Sequence, residues 1–155
     1  MNDALQLIIN DLRTLKSLQD EFCKEFPFLK IEFFTHPHQK DQSSMRSSML
    51  NSDKIIKECR KILNAGKLII LENQTVFEVE NNFYNQFGLA VQVFRKSGRV
   101  WLETTSTDDW TLMKQNHEAE ELSNILHSKK LSILFYHYSE SFVGILSSLL
   151  QLTGR

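Results

Sequence analysis

Glycine and proline are both scarce in this chain, with five and two residues in 155. Five scattered glycines cannot build a Gly-rich phosphate loop, and so little of either residue argues against long irregular segments. Cysteine is limited to Cys23 and Cys59, in no CxxC or CxH arrangement. That excludes a disulfide framework and a Cys-based zinc motif and leaves two small buried hydrophobes. An excess of either charge is also missing: the formal net charge is −1, which lowers the expectation of nucleic acid as the main partner while leaving room for a local basic patch. No stretch reaches 18 uninterrupted apolar residues. The nearest, Leu131 to Leu152, is broken by His137, Glu140 and several Ser, so it does not read as a membrane span. Met1-Asn2-Asp3-Ala4 lacks the basic region of a signal peptide, and the expected location is cytoplasmic. There is no G-x-S-x-G motif, no cofactor is implied, and neither an internal repeat nor a low-complexity block is evident.

What is present is ordinary for a folded domain. Apolar residues make up 41% and charged residues 24%, with eleven Phe. One α+β domain over residues 1–155 is expected, burying roughly two thirds of the surface its unfolded chain would expose.

Periodicity divides that domain. Leu5, Ile8, Leu12, Leu15 and Phe22 recur at three- and four-residue steps, which predicts a helix ending near Phe26, because Pro27 disfavours helical geometry in the residue before it. The helix reads either as a core element or as a short coiled-coil seam for dimerisation. Phe28 to Thr35 reads as a strand, and His36 to Asn51 as a polar loop. Ser52 to Asn64 reads as a short helix stopped by Gly66, and Lys67 to Leu71 as a strand. Thr75-Val76-Phe77-Glu78 matches a capping box that opens a helix with Val76, Val79, Phe83 and Phe87 on its buried stripe and Gly88 as terminator. Leu89 to Lys96 and Arg99 to Thr105 read as a hairpin around Ser97-Gly98. Asp108 or Asp109 can cap a helix to about Leu126. Beyond it, composition favours a strand to His137 and spacing favours a helix; the strand reading is adopted, with a helix from Ser139. Residues 67–137 then read β-α-β-β-α-β, the order of the ferredoxin-like fold, an antiparallel or mixed sheet with helices on one face and the N-terminal helix and strand added.

The hairpin carries the main candidate site. A loop at Ser97-Gly98 sets Lys96 opposite Arg99 and Phe94 opposite Trp101. Side chains alternate faces, so Val91, Val93, Val100 and Leu102 form a core face, while Phe94 and Trp101 lie together between Lys96 and Arg99. Paired aromatics with a basic rim can stack nucleic-acid bases and reach phosphates. The plainer reading is a cross-strand pair covered by the N-terminal helix or a second subunit. A second candidate is His36 with His38, two imidazoles that could share a metal with Glu32 or Asp41; the spacing is permissive, and surface His in a polar loop is the preferred reading. Thr107-Asp108-Asp109-Trp110 reads as helix capping.

Val91 through Thr105, followed by Thr107-Asp108-Asp109-Trp110-Thr111-Leu112, resembles a small uncharacterised family of bacterial proteins, and the likeness covers about residues 26 to 123. It implies that the hairpin and the Thr-Asp-Asp-Trp segment belong together and implies no activity or ligand. The expectation is therefore a non-enzymatic interaction or ligand-binding domain that self-associates as a homo-oligomer. Single-stranded nucleic-acid binding through Phe94, Lys96, Arg99 and Trp101, or a metal-dependent enzyme using His36 and His38, are the alternatives.

Overall fold

The structure, a computed structural model, describes residues 4–37, 46–60 and 62–152, with side chains as far as residue 132. The class is α+β. Strand β1 (Leu5–Ile9) leads into helix α1 (Leu15–Glu25) and strand β2 (Leu29–Phe34). After a 3-10 turn at Ile56–Glu58 come β3 (Gly66–Ile70), α2 (Val76–Phe87), β4 (Ala90–Ser97), β5 (Val100–Glu103) and α3 (Leu112–Leu152). There are two antiparallel sheets among the described residues, β1-β3 and β2-β4-β5.

The first expectation fails at residue 5. Leu5 to Ile9 is a strand with Leu7 and Ile9 fully buried, while Ile8 and Leu12, two members of the apparent helical stripe, are exposed. Two-residue alternation wins over helical spacing because Thr14 caps α1, its hydroxyl accepting from the Ser17 amide at 3.2 Å, and so fixes the helix start ten residues later than the apolar spacing suggests. The expected helix from Ser52 to Asn64 is reduced to the turn at Ile56–Glu58. Its backbone instead bridges to the entry of α1: the Leu15 amide donates to the Lys54 carbonyl at 3.0 Å and the Ile56 amide to Arg13 at 2.8 Å. Gly66 opens β3 rather than ending a helix. Residues 131–137 belong to α3, so the closing strand of the β-α-β-β-α-β order is not there, and β3 pairs with β1, outside the sheet of β4.

The capping box is present as expected. Thr75 Oγ1 accepts from the Glu78 amide, Glu78 Oε2 accepts from the Thr75 amide at 2.8 Å, and Gly88 ends α2 at φ 65° in the left-handed region. Leu7, Leu15, Leu18, Phe22, Ile31 and Phe33 from the first half pack in one cluster with Leu68, Val76, Val79, Phe83, Val91 and Val93 from the second. Phe33 meets Phe83 edge-on at 6.2 Å, a geometry favoured by the ring quadrupoles.

Those two halves repeat each other, contrary to the reading of the sequence. Leu7, Ile8, Ile9, Thr14, Phe22 and Phe26 recur as Leu68, Ile69, Ile70, Thr75, Phe83 and Phe87, and Leu29 and Phe34 as Leu89 and Phe94. Leu7 pairs with Leu68 across β1-β3, and Glu32 with Gln92 across β2-β4. Each is a position meeting its own counterpart in an antiparallel ladder, which is what a local two-fold axis through both pairs produces. The loop bridges repeat as well: Thr14 with Ile55, Thr75 with Thr111. The ladder bonds do likewise, Ile56 and Lys57 donating to Arg13 and Asp11 as Leu112 and Met113 donate to Gln74 and Glu72.

Candidate interaction surface

The β4-β5 hairpin forms, but its turn slides by one residue. Ser97 pairs with Val100, Lys96 with Trp101, Arg95 with Leu102 and Phe94 with Glu103, leaving Gly98 and Arg99 as the loop. Gly98 sits at φ 60°. The primed two-residue turns that suit strand twist require a positive φ at their first central position, and glycine supplies it there without a side-chain penalty. Sliding a turn by one residue moves every cross-strand partner by two, so Phe94 and Trp101 are no longer opposite yet still share a face.

That face is less open than the sequence suggests. Phe94 is buried with Phe34 and Ala90. Lys30, its partner on β2, lays its ammonium 5.1 Å from the Phe94 ring centre and 5.3 Å from that of Trp101. Lys30 also pairs with Glu32 at 2.6 Å, and Glu32 accepts from Gln19 at 2.7 Å. Trp101 is 36% exposed and lies beside Lys96, whose ammonium is 5.9 Å from the Phe28 ring. Arg99 is at the hairpin tip. The four residues of the candidate site are thus one buried aromatic, one edge-exposed aromatic and two cations. Lys30, the cation that touches both rings, was not among them; reading the β2-β4 register was needed to find it.

The opposite face of β5 departs from expectation more sharply. Val91 and Val93 are core, but Val100 is 56% and Leu102 45% exposed. No strand pairs with the outer edge of β5 among the described residues. The face they share with Arg95 is the one along which α3 runs. Arg95 Nη1 donates to Gln115 Oε1 at 3.0 Å, and a Cβ on Gly98 would stand 3.1 Å from Leu126 Cδ1. Lys114 and Arg95 approach the Trp110 ring at 3.8 and 5.5 Å, and the Phe28 amide donates to Asn116 Oδ1 at 3.0 Å. Through these bonds Leu112, Gln115 and Ala119 are buried. From Glu120 to Ser132 every residue but half-buried Ser123 is exposed, including Leu122, Ile125 and Leu126. β5 and α3 therefore frame one apolar corner. No helix among the described residues is long and apolar enough to cross a membrane.

The other sequence candidates separate. His36 is exposed with its Nδ1 3.0 Å from Thr35 Oγ1, while His38 and Asp41 lie outside the described residues. Among the described residues no group of three or more His, Cys, Asp or Glu is placed to hold a metal ion. Asp108 is buried and its carbonyl accepts from the Phe77 amide at 3.0 Å, while Thr111, not an Asp, accepts from the Lys114 amide at the start of α3. Cys23 and Cys59 are unpaired and half-buried, each donating to a carbonyl at 3.4 Å. Burial pushes both thiols above the ordinary value, which disfavours the thiolate that a nucleophile needs. No family model, curated protein or solved structure matches the chain.

Proposed function

We propose that this chain is a non-enzymatic interaction domain that works by self-association. The observation that carries the reading is the apolar corner of Val100, Leu102, Leu122, Ile125 and Leu126 beside the edge of β5, with which no strand pairs among the described residues. Contiguous exposed apolar surface of this kind marks association sites, and an open strand edge is a second adhesive feature on the same side. The cytoplasm, where thiols stay reduced, is the setting that fits the two unpaired cysteines. Sedimentation across micromolar concentrations tests the reading: a concentration-dependent dimer is expected, and a strict monomer overturns it.

A second reading rests on Trp101 with Lys96 and Arg99. An exposed indole next to cations stacks single-stranded bases. Buried Phe94 cannot join it, which leaves a stacking site for one base. Quenching of Trp101 fluorescence by an oligonucleotide at low salt, with Trp110 replaced by Phe, would support this reading; no quenching removes it.

A further inference from the structure

We infer that the occupant of the apolar corner is a second copy of this chain, docked through α3 in antiparallel fashion about a two-fold axis between residues 123 and 124. This rests on the self-association proposed above and adds its geometry. Helical spacing of 3.6 residues places Glu118, Leu122, Ile125 and Lys129 within one narrow stripe, about a quarter turn from the buried Leu112, Gln115 and Ala119. All four are exposed, and neither Glu118 nor Lys129 has an ion-pair partner among the described residues.

The order along that stripe is acid, apolar, apolar, base. Laid antiparallel on a copy of itself, it sets Glu118 against Lys129 of the partner subunit and Leu122 against Ile125 of the partner subunit, and the two-fold repeats both matches. A parallel pair would set each charge against its own kind. A closed two-fold dimer needs a self-complementary patch, and this stripe is self-complementary in charge and in apolarity in only the antiparallel sense. Val100 and Leu102 lie on the β5 side of the same corner, so the pairing covers the apolar strand face as well.

The test is a charge-reversal cycle on the full chain, read by analytical ultracentrifugation. Glu118→Lys alone and Lys129→Glu alone each turn two attractive pairs into two repulsive ones, and each raises the dimer dissociation constant about tenfold. The double variant restores the original value. Ile125→Glu, at a position already 51% exposed, leaves the fold intact by circular dichroism and gives monomer. A disulfide readout checks register: with Cys23 and Cys59 replaced by Ala, a chain carrying Glu118→Cys mixed with one carrying Lys129→Cys forms the mixed dimer. A dimer that ignores the charge swaps, survives Ile125→Glu, or links 118 to 118 overturns the antiparallel helix seam while leaving self-association standing. A monomer at every concentration overturns both.

Discussion

The two halves of this molecule solve the same folding problem with different ends. Residues 5–34 and 66–94 each run strand, Thr-capped helix, strand, with Phe22 and Phe83 at matching positions, both fully buried. Their divergence begins where each helix stops. The first half leaves α1 through Phe26 and Pro27, at a φ of −119° for the cap residue; the second leaves α2 through Gly88 at φ 65°. It widens after the second strand, where the segment following Ile56 stays a short turn and the one following Leu112 becomes a helix of 41 residues, about 60 Å long at 1.5 Å per residue. The core positions that the halves share, such as Phe22 and Phe83, are buried. The part of α3 from Glu120 to Ser132, which only the second half has, is exposed apart from half-buried Ser123, and that is where association with another molecule is proposed.

The strongest way to break this comparison is to remove the same residue from each half. Phe22→Ala and Phe83→Ala should each destabilise by about 3–5 kcal/mol, and the two losses should agree within about 1 kcal/mol, by urea unfolding. A large asymmetry would mean that sequence correspondence does not carry energetic equivalence. The helix ends should behave oppositely. Gly88→Ala forces a left-handed φ and brings a methyl to 3.1 Å from the Ile62 backbone amide and Cβ, and should cost about 2 kcal/mol. Pro27→Ala, at the matching stop of α1, loses only restriction of the unfolded chain and should cost about 0.5 kcal/mol. Equal losses would show that the two exits are interchangeable.

Much of the second half was legible in the sequence because its signals are local. A capping box, a glycine stop and a glycine-bearing hairpin each declare themselves within a few residues. The first half was misread because Leu5, Ile8, Leu12 and Leu15 fit a helix by spacing alone, and only the pairing of Leu7 with Leu68 settles Leu5 to Ile9 as a strand. The repeat was hidden because a one-residue difference between Pro27-Phe28 and Gly88 breaks the alignment just before β2 and β4. The aromatic face was read to its sidedness but not to its exposure: Phe94 is buried by Lys30 and Phe34, from a strand far away in sequence. Val100 and Leu102 were assigned to the core because alternation shows which residues share a side and says nothing about whether that side is covered.

The smallest expected difference lies at the two helix starts, and it isolates what a capping box adds. Both Thr hydroxyls accept from the amide three residues on, at 3.2 Å. In α2 the residue at that third position is Glu78, whose carboxylate accepts from the Thr75 amide, a backbone donor with no intrahelical partner. In α1 it is Ser17, whose hydroxyl donates to the Thr14 carbonyl at 2.7 Å, although that oxygen already accepts from the Ser17 amide at 3.2 Å. Glu78→Ala therefore strands a donor at a helix end where negative charge is also favoured, and should cost about 0.5–1 kcal/mol. Ser17→Ala removes a second donor from a carbonyl that keeps its first, along with a part-exposed acceptor of Arg13, and should cost a few tenths. Thermal unfolding of the two variants orders them. Should Ser17→Ala prove the more damaging, its hydroxyl's other role as acceptor from Arg13 Nε at 3.1 Å, and through Arg13 its tie to Glu21, would be the interaction that anchors α1.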